Sequence, residues 1–155
     1  MAGSDFTLNG RTEKAYKTHP QALLQTEKIS NFVVSAILGK KVDVSAGSKG
    51  FSRQAVEAIM KNCRPGHALG ADGEWTITLH RLGYGCNYLE VDGLDWESAD
   101  RFQLAAADTD QQSLQAEQYD ADPRNWSHRV DVAYEVAEWA LAAANGCTVR
   151  HSEAV

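Results

Sequence analysis

Three cysteines and five histidines are the side chains of this chain best suited to metal or nucleophilic chemistry. Cys63 and His67 form a C-x3-H pair, Cys147 and His151 form a second, and His80 and Cys86 lie six residues apart. A structural zinc needs four such nitrogen and sulfur ligands in a tetrahedron, usually announced by a close cysteine pair. No two cysteines here are that close, so the spacing implies no metal. Cys63 and Cys147 read instead as small core residues, and His67 and His151 as solvated ones. The odd number of cysteines also argues against a disulfide scaffold.

Other catalytic and cofactor patterns fail in the same way. There is no Gly-x-Ser-x-Gly elbow for an activated serine. Placed across a β-hairpin, His80 and Glu90 would make a general base with an orienting carboxylate, the basis of an alternative reading as a small enzyme. The same two residues also make an ordinary polar cross-strand pair, the reading we prefer. Gly83-Tyr84-Gly85 lacks the third glycine of a dinucleotide fingerprint, and Gly47-Ser48-Lys49-Gly50 lacks the spacing of a phosphate loop. An EF-hand beginning at Asp108 would need glycine sixth and glutamate twelfth, where this chain has Ser113 and Tyr119. No cofactor is implied.

What remains is collective charge. Between Glu90 and Asp122 lie ten acids, Glu90, Asp92, Asp95, Glu97, Asp100, Asp108, Asp110, Glu117, Asp120 and Asp122, against the single base Arg101. Trp96, Phe102 and Tyr119 are interleaved with them. Carboxylates at such density imitate the potential of a phosphate backbone and steer a protein toward a basic cleft. The first 65 residues carry the opposite bias, ten bases against five acids, and all seven lysines lie between Lys14 and Lys61. Lys40, Lys41, Lys49 and Arg53, with Arg11, Lys14, Lys17, Lys28, Lys61 and Arg64, are the candidate contacts if the chain instead binds nucleic acid. Basic half against acidic half is also a route to a homodimer.

These residues need elements to position them. Residues 1–17 are small and polar, without a sustained apolar period, and are expected to form a mobile N-terminal arm ahead of a single domain over 18–155. Thr18-His19-Pro20 reads as a helix entry, Ala22, Thr26, Ile29, Phe32, Val33, Ala36 and Ile37 as its apolar face, and Gly39 as its stop. Residues 40–44 predict a short strand or linker. Ser52 caps a second helix whose face is Ala55, Val56, Ile59, Met60 and Cys63. Trp75, Ile77 and Leu79 alternate with polar residues, as do those of 87–91, predicting a β-hairpin that buries Trp75, Ile77, Leu79, Leu89 and Val91. Residues 101–106 read as a third meander strand or a helix, and 111–119 as a short helix or loop. Asp122-Pro123 opens a long helix with Val130, Ala133, Tyr134, Ala137, Leu141 and Ala144 on one face, closed by Asn145-Gly146.

The order predicts an α+β domain: an antiparallel hairpin or three-stranded meander packed against three main helices. At 155 residues and 43% hydrophobic letters one core is the expectation. With no apolar run near the roughly 18 residues that span a bilayer, and no leader pattern, a cytoplasmic protein with no membrane partner is expected. Size, acidity and the missing catalytic signature resemble, in general character and not in sequence, the small inhibitors that phages and mobile elements direct at nucleases and defence complexes. The expected function is a protein-binding module whose acidic face engages a basic site on a partner and acts as a nucleic-acid mimic.

Overall fold

The computed structural model describes residues 4–63, 69–96 and 109–146, with residues 109 and 110 by backbone alone. The fold is α+β, but its sheet is mixed and six helices accompany it among the described residues. The strands are β1 (Phe6–Arg11), β2 (Ser48–Phe51) and β3 (Cys86–Val91), in the spatial order β2-β1-β3. β1 runs antiparallel to β2, pairing Phe6 with Phe51, and parallel to β3, pairing Phe6 with Cys86 and Arg11 with Val91. The helices are α1 (Glu13–Tyr16), α2 (Gln21–Leu38), α3 (Arg53–Asn62), α4 (Ala71–Arg81), α5 (Thr109–Asp120) and α6 (Pro123–Ala144). Residues 41–43 are a linker, one of the two forms expected for 40–44, and a 3-10 turn, Val44–Ala46, follows it.

The N-terminal segment corrects the expectation of a mobile arm, since residues 6–11 form the central strand. Phe6 and Leu8 are almost wholly buried while Thr7 and Asn9 are only partly so, which is the period-two signature of a strand with one face on the core. The predicted hairpin is absent as well. Trp75, Ile77 and Leu79 lie on helix α4, whose Gly73, Glu74, Thr76, Ile77, Thr78 and Leu79 are all buried. A helix enclosed on nearly every side has no polar face to reveal its 3.6-residue period, so its alternation of threonine with larger residues imitates a strand. The Thr76 hydroxyl meets the Asp72 carbonyl at 2.8 Å, which satisfies its polarity inside the helix. The strand expected at 87–91 does form, with its faces reversed: Tyr88 packs against the core and Leu89 is 49% exposed.

Phe6, Leu8, Val34, Val44, Ile77, Leu79, Val136 and Ala140 form the centre of the core. Helix α6 crosses α4 so closely that a Cβ on Gly73 would overlap the Val136 carbonyl. That approach selects the small residues Ala133, Ala140 and Ala143 for the buried face of α6 and turns Val130, Tyr134 and Leu141 outward. Phe32, expected in the core, is 76% exposed, because α2 buries Ala22, Leu23, Thr26, Ser30 and Val34 instead. The expected ends are observed: Gly39 closes α2 at φ 68°, Ser52 caps α3, and Asp122 caps α6 ahead of Pro123. Residues 101–106 lie outside the described residues. Among the described residues, no helix is long and apolar enough to cross a membrane.

Candidate functional site

The loop leaving β3 carries Asp92, Asp95 and Trp96, and the chemistry of its neighbours fixes it against the α1–α2 corner. The Thr12 hydroxyl donates to Asp92 Oδ1 at 2.7 Å, and the Trp96 N–H donates to Thr18 Oγ1 at 2.8 Å. Gln112 Nε2, on α5, donates to the Trp96 carbonyl, and the Trp96 ring meets Tyr119 edge-on with centroids 5.7 Å apart. Parts of the acidic segment that are distant in sequence are thereby gathered at one corner of the molecule. Asp92 and Asp95 are exposed on this loop, Glu90 is exposed on β3 just before it and Glu117 on α5, and none of the four is in an ion pair among the described residues.

Two members of the expected face have other work. Trp96 is 6% exposed and serves as packing, so it cannot reach a partner. Both Asp120 oxygens accept backbone N–H bonds from Gln21 and Ala22 at 2.8 Å, capping α2 from another helix. This supplies acceptors to N–H groups that the first turn of a helix cannot satisfy, at the end where negative charge is favoured. Glu97, Asp100 and Asp108 lie outside the described residues, as do His67, Cys147 and His151, and Asp110 is described by backbone alone. No cluster of potential metal ligands occurs among the described residues.

Of the candidate nucleic-acid contacts only Lys49 is drawn inward, while Lys40, Lys41 and Arg53 stay exposed. Lys49 is buried, its ammonium 2.8 Å from Asp72 Oδ1 and 3.0 Å from the Val44 carbonyl. Lys40 donates to the Cys86 carbonyl, and Arg53 pairs along its own helix with Glu57. Lys41 alone of the four is exposed without a bond among the described residues. The general-base pair is not assembled as expected either. His80 sits in the last turn of α4 and Glu90 on β3 opposite Gly10, so they are not cross-strand neighbours, and both are exposed.

Beneath this surface lies a cluster that sequence reasoning missed. Arg11, at the end of β1, is buried with two carboxylates: its Nε meets Asp43 Oδ2 at 2.7 Å and its Nη2 meets Asp43 Oδ1 at 2.9 Å and Glu27 Oε2 at 2.6 Å. Asn31 donates to Asp43, and the guanidinium lies 4.6 Å from the Tyr16 ring centroid. Burial works to neutralise every member, but the bonds are shared unequally. Asp43, desolvated yet held by Arg11, Tyr16 and Asn31, stays below the ordinary carboxylate range. In Glu27 burial outweighs the single guanidinium bond and pushes the carboxyl up. Burial also lowers His19 to about 4, even though its ring meets the Ala15 carbonyl at 2.9 Å. The cluster divides two cavities. One of about 320 Å3 is lined by Arg11, His19, Asp95 and Arg129. The other, of about 530 Å3, is walled by Tyr16, Phe32 and Tyr88, and Glu27 lines both. A central arginine on an alternating strand was the only trace of this cluster in the sequence, since its partners are 16 and 32 residues away.

Comparison of the chain with family models, with curated proteins and with solved structures finds no match.

Proposed function

We propose that the protein is a binding module whose acidic corner, formed by the loop after β3 and helix α5, occupies a basic site on a protein partner. The observation that carries this reading is an imbalance of availability. Glu90, Asp92, Asp95 and Glu117 are exposed without ion-pair partners among the described residues, whereas Lys49 is held in an ion pair with Asp72 and Arg53 in one with Glu57. Unpaired exposed charge steers association, and charge already neutralised internally does not. Leu114, 53% exposed and one helical turn before Glu117, takes the anchoring part that Trp96 cannot fill. A basic site of this kind is what a nucleic-acid-handling or defence complex offers, so the finer reading is an inhibitor that stands in for nucleic acid, of the type phages and mobile elements produce.

Affinity capture from the native host should recover a partner with wild-type protein and lose it with Asp95→Lys and Glu117→Lys combined, at unchanged thermal stability. Recovery should also fall steeply with salt. Equal recovery by wild type and variant would refute the proposal. A low-salt gel shift with DNA and RNA separates the alternative: a shift weakened by Lys41→Glu would favour nucleic-acid binding instead.

A further inference from the structure

The cavity of about 530 Å3 beside the acidic corner is within the roughly 300–1,000 Å3 that small-molecule sites occupy. Its walls are apolar and aromatic, from Tyr16, Leu24, Phe32, Val42 and Tyr88. Phe32 is an aromatic side chain left 76% in water at the edge of an apolar cavity, the position at which a bound planar group would recover buried area.

The polar groups around the cavity select the charge of the occupant. Two carboxylates, Asp43 and Glu27, lie at its inner end and would by themselves suggest a cation. Arg11 already occupies both, and Asn31 adds a further donor to Asp43, so a second cation would find the better acceptor saturated. The remaining charged lining residues are Lys28, Lys41 and Glu90. Lys28 bonds only the neutral Gln25 amide, and Lys41 has no bond among the described residues, so on the exposed side of the cavity two ammonium groups face one carboxylate, while the single Arg11 guanidinium offsets one of the two buried carboxylates. The site is also preorganised. The buried ion cluster fixes Tyr16, and Gly10 leaves room for the Tyr88 phenol, which a Cβ there would overlap.

We propose that this cavity binds a planar apolar small molecule carrying one anionic group, with the rings between Phe32, Tyr16 and Tyr88 and the anion held by Lys28 and Lys41. This inference is independent of the acidic corner and its partner, apart from Glu90, which belongs to both.

Three probes of one shape test it with the full chain: 2-naphthoate, 2-naphthalenemethanol and 2-naphthylmethylamine, titrated by amide-resolved NMR. Naphthoate should bind saturably at one site and shift residues 16, 24, 31–35, 41–43 and 88. The neutral alcohol should bind about tenfold more weakly, a difference of about 1.4 kcal/mol, and the amine more weakly still. Phe32→Ala, at an exposed position, should weaken all three. Lys28→Glu with Lys41→Glu should reverse the order of acid and amine, and Glu90→Gln should tighten naphthoate. Non-saturable binding, shifts elsewhere, indifference to Phe32→Ala, or an amine that binds as well as the acid would each overturn the proposal.

Discussion

Asparagine in place of Asp43 should be far more damaging than glutamine in place of Glu27, although both carboxylates bind the same arginine. Asp43 takes two short bonds from the Arg11 guanidinium, a longer one from its backbone N–H at 3.3 Å, and one from Asn31. An asparagine would turn one acceptor into a donor facing Nε or Nη2. Breaking a buried pair from one side costs about 3–5 kcal/mol, and Glu27 would be left as the carboxylate partner of the guanidinium. At about 2–4 °C per kcal/mol for a domain of this size, the melting temperature should fall by roughly 6–20 °C. Glu27 accepts one guanidinium bond, which a glutamine oxygen can still accept, and its ionised form is already disfavoured by burial. Its replacement should cost less than about 1.5 kcal/mol. The two should also differ in sign with pH. The depressed Asp43 stabilises the fold above its unfolded value near 4, and loses that contribution as pH falls, so the deficit of Asp43→Asn narrows in acid. The raised Glu27 contributes below its unfolded value and loses that contribution as pH rises through its folded one, so Glu27→Gln gains on wild type toward neutral pH. Urea unfolding of the three proteins between pH 3 and 8 measures both effects. Equal costs at pH 7, or parallel pH profiles, would refute the unequal sharing of Arg11.

Two further outcomes are expected. Asp120→Ala should cost about 1–2 kcal/mol in thermal denaturation by uncapping α2, with Asp120→Asn retaining part of it. His19, lowered by burial to about 4, binds its proton more readily once unfolded, so it contributes stability above about pH 6.5 that is lost as pH falls toward 4. His19→Gln should flatten the urea midpoint across that interval.

Local signals carried the elements that end in water. Gly39, Ser52 and Asp122-Pro123 mark the boundaries of α2, α3 and α6 because capping chemistry is written within a few residues. Burial erased the signal elsewhere. In α4 enclosure removed the polar face that identifies a helix, and in β1 six residues of alternation were too short to stand out from a polar surrounding. Which residues of α6 face inward depends on Gly73 of another helix. The acidic corner was legible as composition, but not the diversion of Asp120 to a cap or of Trp96 to packing, because Gln21 and Thr18 lie 99 and 78 residues away in the chain. The aromatic cavity was not legible at all, since its walls are drawn from α1, α2, β3 and the segment 41–43.

The place of β1 also sets a schedule for folding. The middle strand of the sheet is synthesised before both of its neighbours, and Phe6 must wait for Cys86 before its parallel neighbour exists. At about 5–20 residues per second, those 80 residues take roughly 4–16 seconds. Until then one edge of β1 offers its backbone to any other extended chain. Pairing with β2, whose Phe51 lies opposite Phe6, protects one side sooner but leaves the other open. Slower translation between β2 and β3 should therefore lower the yield of folded protein.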